Sequence, residues 1–175
     1  RDNVAMRGTE MPTYAIPDQL SEGLQQATGM RTNPLRAIGV GQNSFANEVF
    51  IDELAAKQGV DPVEFRLRLL DKTPLGQRAR HVIEEAARMA EWKQKRPGRG
   101  LGIAYLDYSG TQLAGVAEVS VDRSTGAIKV HSFWCVIDVG VAVQPDNVIA
   151  QTESSIVYGL GLALTERITI VDGTV

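Results

Sequence analysis

Two successive helices are predicted over residues 43–70 by the spacing of apolar positions. Side chains four residues apart share one face of a helix. The first helix shows this interval twice, in the pairs Phe45–Val49 and Phe50–Leu54. We therefore expect this face of the first helix to be buried.

Residues with capping chemistry mark the ends of these helices. Asn43 or Ser44 can accept a free N–H of the first turn, and Gly59 can end that helix in the left-handed conformation. In the second helix, Asp61 is the predicted N-cap and Pro62 the first helical residue, where no N–H is needed. These signals predict a helix pair with a short break between its members.

A third helix is predicted over 78–92, with Val82 and Ala86 on its inward face. His81 in this helix is more consistent with a solvated or packing side chain than with a metal ligand, because no second ligand stands at helical spacing. The basic stretch 93–99 contains proline and glycine, so we expect a solvated linker there.

Strands are predicted after this linker, over 101–108, 115–121 and 128–138. Apolar and polar residues alternate in the second strand, as is typical of a half-buried strand. Its alternating positions are Ala117, Val119 and Val121 on one face and Glu118 and Ser120 on the other. A turn over 122–126 joins it to the third strand, in which His131 is an ordinary sheet residue.

A last helix, Pro145 to Glu166, is predicted to be largely buried. A polar run over 151–155 precedes an apolar run that begins at Ile156. An unpaired buried polar group costs about 1–3 kcal/mol, so water or a polar ligand should meet the polar run. The alternative is a first turn open to solvent.

The two ends of the chain carry weaker signals. Residues 1–34 are predicted to be loop with one strand near Leu20 to Gln26. At the other end, a strand over 167–171 and an Asp172–Gly173 turn predict a hairpin whose second strand stops at Val175. Because the chain also starts with arginine and not methionine, we expect a fragment of a longer polypeptide.

The order of elements predicts an α+β fold, with mixed helices packed on a mostly antiparallel sheet. We expect a single domain over 1–175. Its helical part is 43–92, and its sheet plus buried helix occupy 100–175.

Composition excludes several classes of function. The 175 residues are 43% apolar and 22% charged with a net charge of −3, so nothing favours nucleic acid as a partner. No apolar run approaches the roughly 20 residues that span a bilayer, so we do not expect an integral membrane protein. No targeting segment is present, and neither cytoplasm nor periplasm is favoured. Cys135 is the single cysteine, which excludes an internal disulfide and a four-thiolate cluster; in its apolar run we expect a small buried hydrophobe.

Gly39 and Gly41 precede the first helix in a Gly-x-Gly pattern. Free N–H groups at a helix start attract anions, which raises the possibility of dinucleotide binding. The third glycine of that motif is replaced by Ser44, and no clear buried strand precedes Gly39. A tight turn into a helix is the simpler interpretation, and a Rossmann-type dehydrogenase is disfavoured.

Several stretches resemble the large subunits of molybdenum hydroxylases, the xanthine dehydrogenase and aldehyde oxidase superfamily. Leu35-Arg36-Ala37-Ile38-Gly39-Val40-Gly41-Gln42 is similar to that family's Phe-Arg-Gly-Phe-Gly-x-x-Gln, and Asp52-Glu53-Leu54-Ala55 and Asp61-Pro62-Val63-Glu64-Phe65-Arg66 follow in the family's order. Tyr14-Ala15-Ile16-Pro17 and Ala150-Gln151-Thr152-Glu153 resemble the branch of isoquinoline 1-oxidoreductase β subunits and related aldehyde dehydrogenases.

The resemblance implies part of a larger molybdopterin-binding domain. It implies a molybdenum–pterin cofactor, as the cytosine dinucleotide in bacterial members, and a small partner subunit that carries [2Fe-2S] clusters. Implied substrates are aldehydes or N-heteroaromatic compounds, hydroxylated with oxygen derived from water. The implied cofactor-binding residues are Arg36, the backbone of Ala37 and Ile38, and Gln151.

Departures from the family pattern limit what is carried over. Ile38 stands where xanthine-type enzymes have a phenylalanine, and Ser154–Ser155 replace a frequent Gly-Gly, either crowding the cofactor or supplying hydroxyl donors. The family's general-base glutamate is expected beyond Val175, so no catalytic residue is assigned and the isolated fragment is expected to be inactive. The competing interpretation is a non-enzymatic binding or assembly domain, in which Gln151 would face a partner chain.

Overall fold

The structure is a computed structural model that describes residues 4–11, 13–24 and 33–174. A short 3₁₀ turn, Val4–Met6, precedes four helices and three strands. In chain order these are α1 (Gly39–Gln58), α2 (Pro62–Leu69), α3 (Pro74–Met89), β1 (Gly100–Tyr108), β2 (Thr111–Val121), β3 (Ile128–Asp138) and α4 (Pro145–Leu164). The α+β prediction is confirmed.

The three strands form one antiparallel sheet in the order β1-β2-β3. β1 and β3 have nearly the predicted bounds, whereas β2 begins four residues earlier than predicted. Ser109 and Gly110 both have positive φ, 51° and 81°, as a two-residue hairpin turn requires. That turn lets β2 start at Thr111 directly after β1.

The face of the sheet opposite α3 is apolar. Phe133 in β3 lies over Gly115 in β2, where a Cβ atom would come within 2.8 Å of the ring Cζ. Cys135 pairs with Gly115 in the sheet register and is half-buried, and this burial raises the pKa of its thiol. The predicted role of Cys135 as a small packing residue is consistent with that position.

The core lies between α3 and the other face of the sheet. Four α3 side chains are fully buried there, namely Ala79, Val82, Ile83 and Ala86. They meet Ile103 of β1 and Ala114 and Val116 of β2 in one apolar cluster. The alanines bring the helix close to the sheet, and each fully buried Val or Ile side chain contributes about 1.5–3 kcal/mol.

The two faces of β2 alternate as predicted, but the more buried face carries Glu118 and is not the apolar face of Ala117, Val119 and Val121. The Glu118 carboxylate is paired with Arg96 at 3.2 Å and with Arg99 at 3.3 Å, which compensates its burial. The Arg96 side chain is only 17% exposed and also stacks on Trp134. The prediction of a solvated linker over 93–99 is therefore wrong at Arg96.

The caps of α2 and α3 follow from local sequence. Asp61 Oδ1 accepts the N–H groups of Val63 and Glu64 at 2.9 and 3.1 Å, and Gly59 ends α1 in the left-handed conformation; both predictions are confirmed. α3 begins at Pro74, before the predicted residue 78, because the Thr73 hydroxyl accepts the N–H of Gly76. It ends at Met89, three residues short of the predicted end.

The predicted start and buried face of α1 are both wrong. The helix begins at Gly39, so the proposed caps lie inside it, and Asn43 instead donates to the carbonyl oxygens of Ala5 and Arg7. Phe45 and Phe50 are 71% and 55% exposed. The buried positions are Gly39, Val40, Glu48, Ile51 and Ala55. The buried charge of Glu48 determines which face of α1 turns inward, and apolar spacing alone does not predict this.

Two predictions near the chain ends also fail. Residues 20–24 form no strand, and 25–26 lie outside the described residues. The predicted Asp172–Gly173 turn is present, and within the described part of the chain a single bridge, Val171 to Thr174, closes it. Arg167 to Ile170 therefore add no strand to the sheet.

α4 is a helix as predicted, but none of its residues is buried. The prediction of a largely buried helix is wrong for the described residues. Val157, for example, is 70% exposed. An apolar sequence can form a helix even where no neighbouring layer covers its side chains.

A buried ion pair joins α1, α2 and β1. Arg66 is completely buried, and its Nε donates to Glu48 Oε2 at 2.8 Å while its Nη1 donates to Asp52 at 2.6 Å. Glu48 also accepts the Tyr14 hydroxyl at 3.0 Å and the backbone N–H of Tyr105 at 2.8 Å. Burial opposes the charge of Arg66, but the Glu48 and Asp52 carboxylates outweigh it and raise the arginine pKa.

Replacing Arg66 with methionine should destabilise the protein by about 3–5 kcal/mol, because Glu48 would be left buried without its counter-charge. Arg68→Met is the matched control. Arg68 lies on the same helix in an exposed pair with Glu64, and its loss should cost less than about 1 kcal/mol. Urea denaturation measures both; equal losses would contradict the role given to the buried pair.

Candidate functional site

Arg36 and Gln151 lie together although 115 residues separate them in the sequence. Arg36 Nη2 donates to both the backbone oxygen and the side-chain Oε1 of Gln151, each at 3.2 Å. The first residue precedes α1 and the second lies in α4. The two side chains that the resemblance assigned to one cofactor are thus in direct contact.

Two further residues of α4 complete this contact. Arg36 Nη1 donates to Ser154 Oγ at 2.9 Å, and the guanidinium carbon lies 5.8 Å from the centre of the Tyr158 ring, within range of a cation–π interaction. We call Arg36, Gln151, Ser154 and Tyr158 the Arg36 cluster. Its α4 members are three and four residues apart, so they share one stripe of the helix.

The family resemblance pointed to Arg36 and Gln151 as cofactor-binding residues and gave Tyr158 no role. The signal was present in the spacing of Gln151, Ser154 and Tyr158 along α4. It could be used only once a cation was known to lie beside that stripe.

The backbone beside Arg36 is strained. Ala37 and Ile38 have φ values of 72° and 50°, in the region that β-branched residues rarely adopt. The Ile38 N–H donates to the Leu35 oxygen at 2.8 Å and the Val40 N–H to the Ala37 oxygen at 2.9 Å, forming a tight turn into α1. Residues in such conformations cost about 1–3 kcal/mol each and cluster at functional sites.

A second ion pair anchors the connection that leads to α4. Arg78 of α3 donates through Nε and Nη2 to the two carboxylate oxygens of Asp138, both at 2.8 Å. This bidentate bond, together with the Gly140 N–H, lowers the pKa of Asp138 to about 2. Asp138 is the last residue of β3, so the pair fixes the point from which the chain turns toward α4.

The donors of the Arg36 cluster fit an anionic pterin cofactor. An arginine fork and a glutamine amide match phosphate and pterin acceptors, and the start of α1 adds the positive end of a helix dipole. Among the residues that the structure describes, no three His, Cys, Asp or Glu side chains gather to hold a metal ion. A metal bound through a dithiolene of its own cofactor is compatible with this donor set.

The same described residues contain no helix long and apolar enough to cross a membrane.

Comparison with known proteins gives a family match for the second part of the chain. Residues 89–175 match the model of the molybdopterin cofactor-binding domain. This part of the chain belongs to that family. The match starts at the end of α3 and includes the sheet and α4, so Gln151, Ser154 and Tyr158 lie inside it and Arg36 lies before it.

Curated relatives extend the likeness over most of the chain. The beta subunit of isoquinoline 1-oxidoreductase from Brevundimonas diminuta is 38% identical over 93% of this chain and 21% of its own length. A nicotinate dehydrogenase subunit of Pseudomonas putida is 33% identical over 83% of the chain and 14% of its own length. A membrane-bound aldehyde dehydrogenase of Gluconacetobacter polyoxogenes, whose name includes pyrroloquinoline quinone, is 30% identical over 79% of the chain and 20% of its own length.

These relatives are oxidoreductases by name, and the chain spans about a fifth or less of their lengths. The resemblance inferred from the sequence is confirmed, as is the assignment of the α+β fold to a molybdopterin-binding domain.

Replacing Ala37 with glycine should stabilise the protein by about 0.5–1 kcal/mol. Glycine removes a left-handed penalty of roughly 1–2 kcal/mol, and the gain is partly offset by its larger entropy in the unfolded chain. Ala56→Gly, at an exposed position inside α1, should instead lose about 1 kcal/mol. Thermal denaturation reports both, and a loss in both variants would show that Ala37 is not strained.

The Arg78–Asp138 pair should make stability depend on acid. The folded pKa of Asp138, about 2, lies below its ordinary value of 3.8, so the pair stabilises the fold above about pH 4 and loses this effect as pH falls toward 2. The difference in Tm between wild type and Asp138→Asn should therefore shrink across that window. Asp18→Asn, in an exposed loop, should differ little from wild type throughout; a constant difference for Asp138→Asn would contradict the pairing.

Proposed function

We propose that the whole protein is a molybdenum-dependent oxidoreductase that hydroxylates aldehydes or N-heterocyclic compounds, and that the Arg36 cluster contacts its pterin cofactor. The observation that carries this proposal is the contact between Arg36 and Gln151 within a molybdopterin-binding fold. When bound, the cofactor supplies the redox chemistry that places oxygen from water on an electron-poor carbon. As in other cofactor enzymes, the protein supplies binding, orientation and electrostatics.

Each residue of the proposed site has a distinct task. Arg36 provides positive charge and a planar set of donors for the anionic cofactor. Gln151 uses its side-chain oxygen toward Arg36, which leaves its NH₂ group as a donor to the pterin. The turn at Ala37 and Ile38 carries the backbone that lines the site. Ile38, an aliphatic side chain, favours substrates that do not need aromatic stacking at that point.

The proposed assembly includes a second protein chain. Two of the relatives are named as subunits of their enzymes, which supports a complex of several chains. We propose that a small subunit with [2Fe-2S] clusters accepts the electrons, and that the pterin is the cytosine dinucleotide form. We also propose that the 175 residues form one domain that does not turn over substrate alone, because the glutamate expected as general base is not among them.

Metal analysis of the intact gene product, purified from its host with any associated subunit, tests the proposed function. We expect molybdenum together with about four irons per complex, as two [2Fe-2S] clusters provide. The name of the Gluconacetobacter relative contains pyrroloquinoline quinone, so that quinone is assayed in the same material. Active protein that contains the quinone and no molybdenum would overturn the proposal.

Arg36→Ala should lower the molybdenum content of the purified complex by at least about tenfold, the scale at which residues that orient a metal site affect metal affinity. Arg36→Lys should be intermediate, since lysine keeps the charge but loses the planar fork. Arg123→Ala, in the exposed turn between β2 and β3, is the control and should keep the wild-type content. Full molybdenum content in Arg36→Ala would show that Arg36 does not contribute to the cofactor site.

A further inference from the structure

The orientation of the Arg36 guanidinium is fixed by acceptors that all belong to α4. Gln151 provides two of them at 3.2 Å, and the Ser154 hydroxyl provides the third at 2.9 Å. Ser154 binds the terminal nitrogen that Gln151 does not. Because a guanidinium is planar, acceptors on both terminal nitrogens determine the plane in which it lies.

That plane decides the contact with Tyr158. The Tyr158 ring lies one helical turn after Ser154, and the guanidinium carbon is 5.8 Å from its centre. The ring hydroxyl is buried and has no hydrogen-bond partner among the described residues, so the stack on Arg36 is the polar interaction that this ring makes here. Without Ser154 the guanidinium could rotate about its bond to Gln151 and leave the ring.

The same contact bears on the strained turn. Arg36 directly precedes Ala37 and Ile38, whose positive φ values persist only where surrounding contacts over-determine them. No residue of α4 is fully buried, although Ile156, Tyr158 and Leu160 are half-buried. The hydrogen bonds of Arg36 are the polar contacts that tie the turn to α4.

We propose that Ser154 is a positioning residue that holds Arg36, and through it the backbone of Ala37 and Ile38, in the arrangement that receives the cofactor. This proposal rests on the proposed function and adds a residue to its site. The sequence led us to expect that serine in place of a family glycine would either crowd the cofactor or supply hydroxyl donors. The Ser154 hydroxyl instead accepts a hydrogen bond from Arg36.

The chain contains a matched control at the next position. The Ser155 hydroxyl donates to the Thr152 oxygen of its own helix at 2.7 Å and is not a partner of Arg36. Ser154→Ala and Ser155→Ala therefore remove the same atom from neighbouring residues of α4, while Ser154→Thr keeps the hydroxyl. Ser154 is exposed, so these changes leave the core intact.

The test measures two quantities in the intact complex purified from its host. The first is hydrogen exchange of the Ile38 and Val40 amides, whose bonds close the strained turn, in protein depleted of cofactor. The second is molybdenum and pterin retained after extended dialysis. In Ser154→Ala we expect exchange to be about fivefold faster, as loss of one hydrogen bond implies, with less cofactor retained. Ser155→Ala should match wild type, and Ser154→Thr should restore both quantities.

The outcomes separate this proposal from the proposed function. Unchanged exchange in Ser154→Ala overturns the positioning role. Faster exchange with full cofactor retention, in a protein that loses molybdenum on Arg36→Ala, also overturns it and leaves the proposed function standing. If Arg36→Ala itself retains molybdenum, the cofactor site is misplaced and the role of Ser154 in it falls as well.

Discussion

The buried pair of Glu48 and Arg66 sets the arrangement of the helical half of the protein. A buried carboxylate is tolerated only when its oxygens are hydrogen-bonded and its charge is balanced, and Glu48 meets that condition through Arg66 of α2, the Tyr14 hydroxyl and an N–H of β1. Four segments distant in the sequence are therefore held by one side chain. The rotation of α1 follows from this, since the helix must turn Glu48 inward and leave its phenylalanines outside. The rotation of α1 in turn sets the position of residues 35–38, which directly precede it.

The Arg36 cluster has a different physical character. Arg36, Gln151 and Ser154 are exposed, their bonds are polar, and the cluster joins a strained turn to a helix that has no fully buried residue. Exposed polar contacts are individually weak in water, so the site is the less stable part of a molecule whose core is elsewhere. Such a division suits a binding site, because donors that are not consumed by the core remain available to a ligand. The ion pair of Arg78 and Asp138 connects the two parts by fixing the end of β3.

Local chemistry predicted the elements better than their surroundings. The strand bounds of β1 and β3 and the caps at Gly59 and Asp61 depend on alternation, turns and N–H groups within a few residues, and these predictions are confirmed. The buried face of α1 and the burial of α4 depend on which distant residues lie opposite. Phe45 is exposed because the ion pair with Arg66 turns Glu48 inward. The spacing of apolar residues along α1 carries no information about that distant partner. The contact between Arg36 and Gln151 likewise could not be predicted from the spacing of apolar residues. Only the family resemblance assigned the two residues to one site.

The separation of Arg36 and Gln151 has a consequence for biosynthesis. A ribosome adding about 5–20 residues per second needs roughly 6 to 23 seconds to add the 115 residues from Ala37 to Gln151. During that interval Arg36 is already part of the growing chain and its acceptors on α4 do not yet exist. The intervening helices and sheet can fold in less time than this. The complete Arg36 cluster therefore exists only after α4 has been translated, so it forms late in the synthesis of this part of the chain.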